Sequence, residues 1–128
     1  MESAVLLTYK NATLRANELA LLKPGAWLND QCLLFWLENL PFNESATFVD
    51  PCAVAYLQYS YQDSSSEEDI RDMYGPLHLE SKDLIFFPVN DNTDKYKAAG
   101  GSHWSLLVFA RPHWLYLDSA SSGVSAAA

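Results

Sequence analysis

His103 stands in the run Gly100-Gly101-Ser102-His103-Trp104-Ser105-Leu106-Leu107-Val108, and an acidic residue, Asp118, follows fifteen positions later. An aspartate beside a histidine holds one imidazole tautomer and stabilises the imidazolium, so the second ring nitrogen can take a proton from a nucleophile. These are two members of a nucleophilic triad. The third is missing after them, because both cysteines, Cys32 and Cys52, come earlier in the chain.

Whether the pair can meet depends on the elements that carry it. His103 to Phe109 and Trp114 to Asp118 are rich in aromatic and branched residues and read as two strands, with Ala110-Arg111-Pro112-His113 as the turn between them. The midpoint between His103 and Asp118 falls at Ala110 and Arg111. A hairpin closing there sets the two side chains opposite each other, or one diagonal apart, on one face. A one-residue slip would send them to opposite faces. The same pattern also fits a plainer role, a packed strand histidine near a strand-end aspartate, and spacing alone leaves both open.

Composition narrows the field. With 128 residues, 49% of them hydrophobic, the chain can bury a core and reads as one domain. Four Trp, seven Tyr and six Phe make that core, or a groove in it, aromatic. A net charge of −8 with scattered basic residues argues against nucleic acid as a partner, since that binding needs clustered cations to displace counterions. The opening Met1-Glu2-Ser3-Ala4-Val5-Leu6-Leu7 lacks a secretory pattern, and no run has the length of a membrane span. Two cysteines suit a reducing compartment, so cytoplasm or nucleus is expected.

Upstream of the histidine the chain reads as short helices. Asn17 is expected to cap one that runs to Leu22 before Pro24-Gly25, and Asn29 or Asp30 to cap an apolar helix from Gln31 to about Asn39, stopped by Pro41. Asp50-Pro51 is a cap followed by a first-turn proline, which starts a helix reaching Tyr59. The acidic run from Gln62 to Asp69 reads as a solvated loop entering a further short helix that ends at Gly75-Pro76. Leu84 to Val89 reads as a buried strand whose Pro88 points to an edge or an end. A polar loop from Asn90 to Gly101 then delivers the chain to His103, and its length suits a functional loop. The expected order is helices first, then three strands.

Other chemistry is poorly supported. Cys32 lies within the apolar helix and reads as core, and Cys52 at a helix start reads as structural ahead of reactive. Ser102 and Ser105 flank His103 on its own strand without an oxyanion-hole elbow, so neither is taken as the nucleophile. His78, His103, His113 and the cysteines show no metal-site spacing, no phosphate-binding glycine loop is present, and no cofactor is expected. Gly100-Gly101 reads as a hinge beside a site.

Several separated motifs, in order along the chain, carry a resemblance. Trp27-Leu28-Asn29-Asp30, Asn90-Asp91-Asn92, the run from Gly100 to Val108, and Leu117-Asp118-Ser119 together resemble the ubiquitin-like-protein cysteine proteases of the sentrin- or SUMO-specific group, most closely the deneddylases. The resemblance implies an α+β chain, the N-terminal portion of a papain-like cysteine protease fold, with short helices followed by an antiparallel sheet carrying His and Asp. It implies that His103 is the general base and Asp118 its orienting carboxylate. Trp27 and Trp104 would line the channel for the modifier's diglycine tail, Asp30 would hold the tail's backbone, and the loop opening at Asn90 would close over it. Flat indoles suit such a clamp, and they equally suit core packing. The implied partner is a ubiquitin-like modifier, the neddylation modifier ahead of SUMO, with its conjugates.

In that family a Gln of the oxyanion hole and the nucleophilic Cys come well after the Asp, and neither is found here. Residues 1–128 are therefore expected to be a partial protease domain truncated before the nucleophile, with Ser119 to Ala128 as the start of a further helix. Alone it would be inactive and marginally stable, and a non-catalytic modifier-binding or regulatory fragment is the alternative.

Overall fold

The computed structural model describes residues 3–62, 67–92, 103–120 and 123–126. The chain forms two compact units, Met1–Pro41 and Phe42–Ala128.

The first unit opens with a hairpin of β1 (Val5–Tyr9) and β2 (Ala12–Arg15), paired antiparallel with Tyr9 facing Ala12 across Lys10 and Asn11. Lys10 takes a left-handed φ of 51° to make the turn. Two helices follow, α1 (Ala16–Ala20) and α2 (Asp30–Glu38). The α1 cap is Arg15 rather than Asn17, because Glu18 in the first turn reaches back to accept from the Arg15 amide at 3.1 Å. Asn29 caps α2 as expected, its side chain accepting from the Cys32 amide at 3.0 Å. Asn29→Ala is expected to cost about 1 kcal/mol in a urea titration. Leu34 and Leu37 of α2 are buried, and Tyr9 meets Phe35 edge-on at 5.9 Å. Gln31 of α2 accepts from the Thr13 amide at 2.9 Å, and Lys10 donates to the Glu38 carbonyl near the helix end at 3.1 Å.

The second unit is a five-stranded sheet in the order β3-β4-β5-β6-β7, comprising β3 (Ala46–Phe48), β4 (Leu84–Asn90), β5 (Trp104–Ala110), β6 (His113–Asp118) and β7 (Gly123–Ala126). Helices α3 (Pro51–Gln62) and α4 (Glu67–Tyr74) and two 3₁₀ turns, Gly75–Leu77 and Leu79–Ser81, lie between β3 and β4. They form the crossover that a parallel pair needs, and β3 and β4 are parallel, while the other pairs are antiparallel. The α+β class with short helices stands, with one parallel pair added at the sheet's edge.

Strand alternation sorts the sheet's two faces. Ile85, Phe87 and Val89 of β4 share a face with Leu107 and Phe109 of β5, and Val54 of α3 joins Val49, Ile85 and Phe87 to make this unit's core there. On the other face Phe86 packs on Phe42, which stacks on Phe48. Pro88 sits mid-strand without cost. The Phe86 carbonyl points toward β3, where it accepts from Val49 at 2.9 Å, so the missing Pro88 N–H also faces that side, beyond the end of β3.

Two further expectations change. A hairpin precedes the helices, so the order is not helices first and then three strands. Gly123–Ala126 is not a helix start but a strand whose backbone satisfies the outer edge of β6, with Asp118 facing Gly123. Among the described residues no helix is long and apolar enough to cross a membrane.

Candidate active site

The β5–β6 hairpin turns at Arg111-Pro112, one residue later than the midpoint of the expected pair, with Ala110 facing His113 and Leu106 facing Leu117. Continuing that ladder outward sets Ser105 opposite Asp118 and His103 one diagonal away on the same face. Arg111 fixes the turn. Its guanidinium donates to the Lys82 carbonyl at 2.7 Å and to the Glu80 carbonyl at 3.2 Å, and its amide to the Asp83 carbonyl at 2.9 Å.

Across the diagonal the His103 Nε2 lies 2.5 Å from Asp118 Oδ1. The same carboxylate oxygen accepts from the Ala120 amide at 2.9 Å, and Oδ2 lies 3.2 Å from the Tyr116 hydroxyl. The Ala120 amide first, then His103 and, more weakly, Tyr116 hold the Asp118 carboxyl below its ordinary value, against an opposing push from partial burial. Asp118 is therefore ionised at neutral pH and accepts, so Nε2 carries the proton. His103 Nδ1 makes no hydrogen bond among the described residues, and in the neutral ring it is the basic nitrogen.

The sign of the pH effect follows. A depressed folded-state pKa adds stability above the ordinary carboxylate value of about 3.9, and that contribution is lost as pH falls through the lower folded value. Urea midpoints taken from neutral pH into the acid range are expected to decline through that window, and less steeply in Asp118→Asn.

The backbone of His103 is held as firmly as its ring. Asp91 accepts from the His103 amide through Oδ1 at 3.2 Å, and its own amide donates to the His103 carbonyl at 3.1 Å. Ser105 and Tyr116 lie on the same face as the pair, with Tyr116 Oη 2.8 Å from Ser105 Oγ. Asp91, Ser105 and Tyr116 were not foreseen as site residues. The period of two that joins His103 to Asp118 also gathers Ser105 and Tyr116, so the signal was present in the spacing.

The other expected site residues fall elsewhere. Trp104 and Asn90 face each other across β4 and β5, on the face opposite His103, and Asn90 accepts from the Asn92 amide at 2.8 Å. Trp27 and Asp30 belong to the first unit, where Trp27 is 65% exposed and Asp30 opens α2. The Gly100-Gly101 hinge, Ser102 and most of the loop proposed to close over a tail lie outside the described residues.

Burial pushes the Cys32 thiol up, which disfavours thiolate. Cys52 is exposed rather than packed, in the first turn of α3, its amide held by Asp50 at 2.8 Å. Tyr59, seven residues and about 10 Å of helix rise further on, is an α3 residue that reaches toward the His103 end, donating to the Asn92 carbonyl at 3.4 Å. Cys52 is thus at the far end of the helix. Among the described residues no group of His, Cys, Asp and Glu is arranged to hold a metal.

Known proteins share this arrangement of chain. No protein-family model matches it. NEDD8-specific protease 1 of Arabidopsis thaliana is 37% identical over 106 residues, 81% of this chain and 46% of the relative. Sentrin-specific protease 8 of Homo sapiens is 34% identical over 111 residues, 82% of this chain and 50% of the relative. The chain is similar in sequence to the NEDD8-specific and sentrin-specific proteases over most of its own length. It spans about half the length of the curated relatives it matches. The sentrin-protease fold is matched as well: the solved C-terminal Ulp1 protease domain in complex with Smt3, described as the yeast ortholog of SUMO, superposes with a TM-score of 0.67 at 22% identity over 96% of this chain and 52% of that one.

Proposed function

We propose that these residues form the His–Asp half of a cysteine peptidase that cleaves after the terminal glycine of a ubiquitin-like modifier, deneddylase-like in preference, with SUMO as the second choice of modifier. The reading rests above all on His103 Nε2 seated on Asp118 Oδ1 with Nδ1 left as the base. The names of the relatives, NEDD8-specific and sentrin-specific proteases, support the modifier class. The reaction is acyl transfer: Nδ1 takes the thiol proton, the thiolate attacks the glycine carbonyl, the amine leaves with that proton, and water hydrolyses the thioester. Trp104 and Asn90 are proposed to contact the modifier tail. Trp27 and Asp30 are proposed for the same ligand, and the exposed indole of Trp27 supports its part. Cytoplasm or nucleus is the proposed compartment, where thiols remain reduced.

The two thiols present are poorly placed or poorly ionised for attack, so the 128 residues alone are proposed to bind without turnover. A modifier fused through its terminal glycine to a fluorogenic amine tests this. The expected result is no release above background, with binding weakened in Trp27→Ala and Trp104→Ala. Release that His103→Ala abolishes contradicts the inactivity. Absence of any binding contradicts the modifier reading.

A further inference from the structure

We propose that Tyr116, supported by Ser105, is a positioning residue that locks the Asp118 carboxylate in the rotation that aims Oδ1 at His103. This rests on the base-pair reading above. Among the described residues His103 Nε2 and the Ala120 amide meet Oδ1, and the Tyr116 hydroxyl meets Oδ2. The terminal torsion of an aspartate is broad and roughly two-fold, so donors at one oxygen alone restrain it poorly. A third donor at Oδ2 removes that freedom.

The Tyr116 hydroxyl has one proton and two oxygens in reach, Ser105 Oγ at 2.8 Å and Asp118 Oδ2 at 3.2 Å. A charged acceptor makes the stronger bond, so Tyr116 donates to Asp118. Ser105 Oγ has the Tyr116 oxygen at 2.8 Å and the Val89 carbonyl at 3.5 Å, so its proton goes to the nearer acceptor, Tyr116 Oη, which polarises the tyrosine O–H and strengthens its bond to the carboxylate. The phenol arrives on a stiff ring with two torsions, and Tyr116 is half-buried in β6. Among the described residues, the groups that face Asp118 include His103 and Ser105 from β5 and its lead-in, and Tyr116 and the Ala120 amide from β6 and the turn after it. Both hydroxyls belong to the strand pair itself, so the lock is set by the register that brings His103 to Asp118.

The test uses the isotope-labelled chain of 128 residues and two magnetic-resonance signals: the titration of the Asp118 carboxyl carbon and the exchange with water of the His103 Nε2 proton. In Tyr116→Phe the Asp118 midpoint is expected to rise toward the ordinary carboxylate value, and the His103 proton to exchange several-fold faster. Ser105→Ala is expected to move both in the same direction by less, and Ser105→Thr, which keeps the hydroxyl, to move neither. Unchanged midpoint and exchange in Tyr116→Phe overturn the proposal while leaving the His103–Asp118 pair intact. Should Tyr116→Phe fail to fold, Ser105→Ala decides by the same criterion. Absence of a hydrogen-bonded Nε2 proton in the unaltered chain brings down the base-pair reading itself.

Discussion

Replacing His103 by alanine is expected, on the proposed peptidase function, to slow modifier cleavage about 10⁴-fold once a nucleophile-bearing segment is supplied, because general-base transfer contributes about 10² to 10⁴ and the thiolate also loses its imidazolium partner. At about 1.36 kcal/mol per tenfold, that is roughly 5 kcal/mol of transition-state stabilisation. Asp118→Asn is expected to lose a comparable factor by a different route. The carboxamide removes the negative acceptor that keeps the proton on Nε2, so the ring can turn or change tautomer and present a protonated nitrogen to the thiol. Since both residues act as one unit, the double variant His103→Ala/Asp118→Asn is expected to be no slower than His103→Ala alone. Steady-state kcat/KM on a modifier with a fluorogenic leaving group measures all three. Additive losses in the double variant contradict a coupled pair.

The second large effect is on stability. Phe87 is buried between Val49, Val54 and Ile85, and its ring meets Trp114 at 5.8 Å. Phe87→Ala removes that packing and leaves a cavity, at a cost of about 3 to 5 kcal/mol. Small domains hold about 5 to 15 kcal/mol in total. Val49, Val54, Ile85 and Phe87 are the buried members of this unit's core cluster, while Trp27, Trp36, Leu19 and Leu22 of the first unit stay largely exposed. The starting stability is accordingly expected at the low end of that range, so Phe87→Ala is expected to leave only about 0 to 2 kcal/mol and to bring the chain to the edge of unfolding at room temperature. A urea midpoint shifted close to zero denaturant, with the near- and far-ultraviolet circular dichroism signals lost together, measures it.

Phe87 and the His–Asp pair are linked through the sheet. Phe87 faces Leu107 in the β4–β5 ladder, and two residues further along the same face Val89 faces Ser105. The core therefore ends where the site begins, and the register that packs Phe87 also delivers His103. Arg111 guards that register from the other end of the hairpin, tying the turn to the carbonyls of Glu80 and Lys82.

How much of this was legible varies with the physics that decides each element. The parity between His103 and Asp118 survived a turn placed one residue later than its midpoint, because the diagonal neighbour shares a face with the direct one. Helices α2 and α3 were readable because Asn29 and Asp50 are strong caps whose side chains bond the amides of Cys32 and Cys52. The β1–β2 hairpin was not, since its turn is Lys10-Asn11 rather than Asn-Gly, and a lysine at positive φ leaves no local signature. Three-residue β3 is too short for any periodicity, and its parallel pairing is decided by the α3–α4 crossover. Strand β7 is set by the open edge of β6, a tertiary demand that Gly123–Ala126 does not advertise. In the site, Ser105 was weighed only as a nucleophile, so its role as a hydroxyl partner for Tyr116 went unread.

The nitrogen chemical shifts of the His103 ring at neutral pH test the central claim most directly. A protonated Nε2 beside an unprotonated, basic Nδ1, with that balance lost in Asp118→Asn, is the result the geometry predicts. A proton resident on Nδ1, or a ring indifferent to Asp118→Asn, contradicts it.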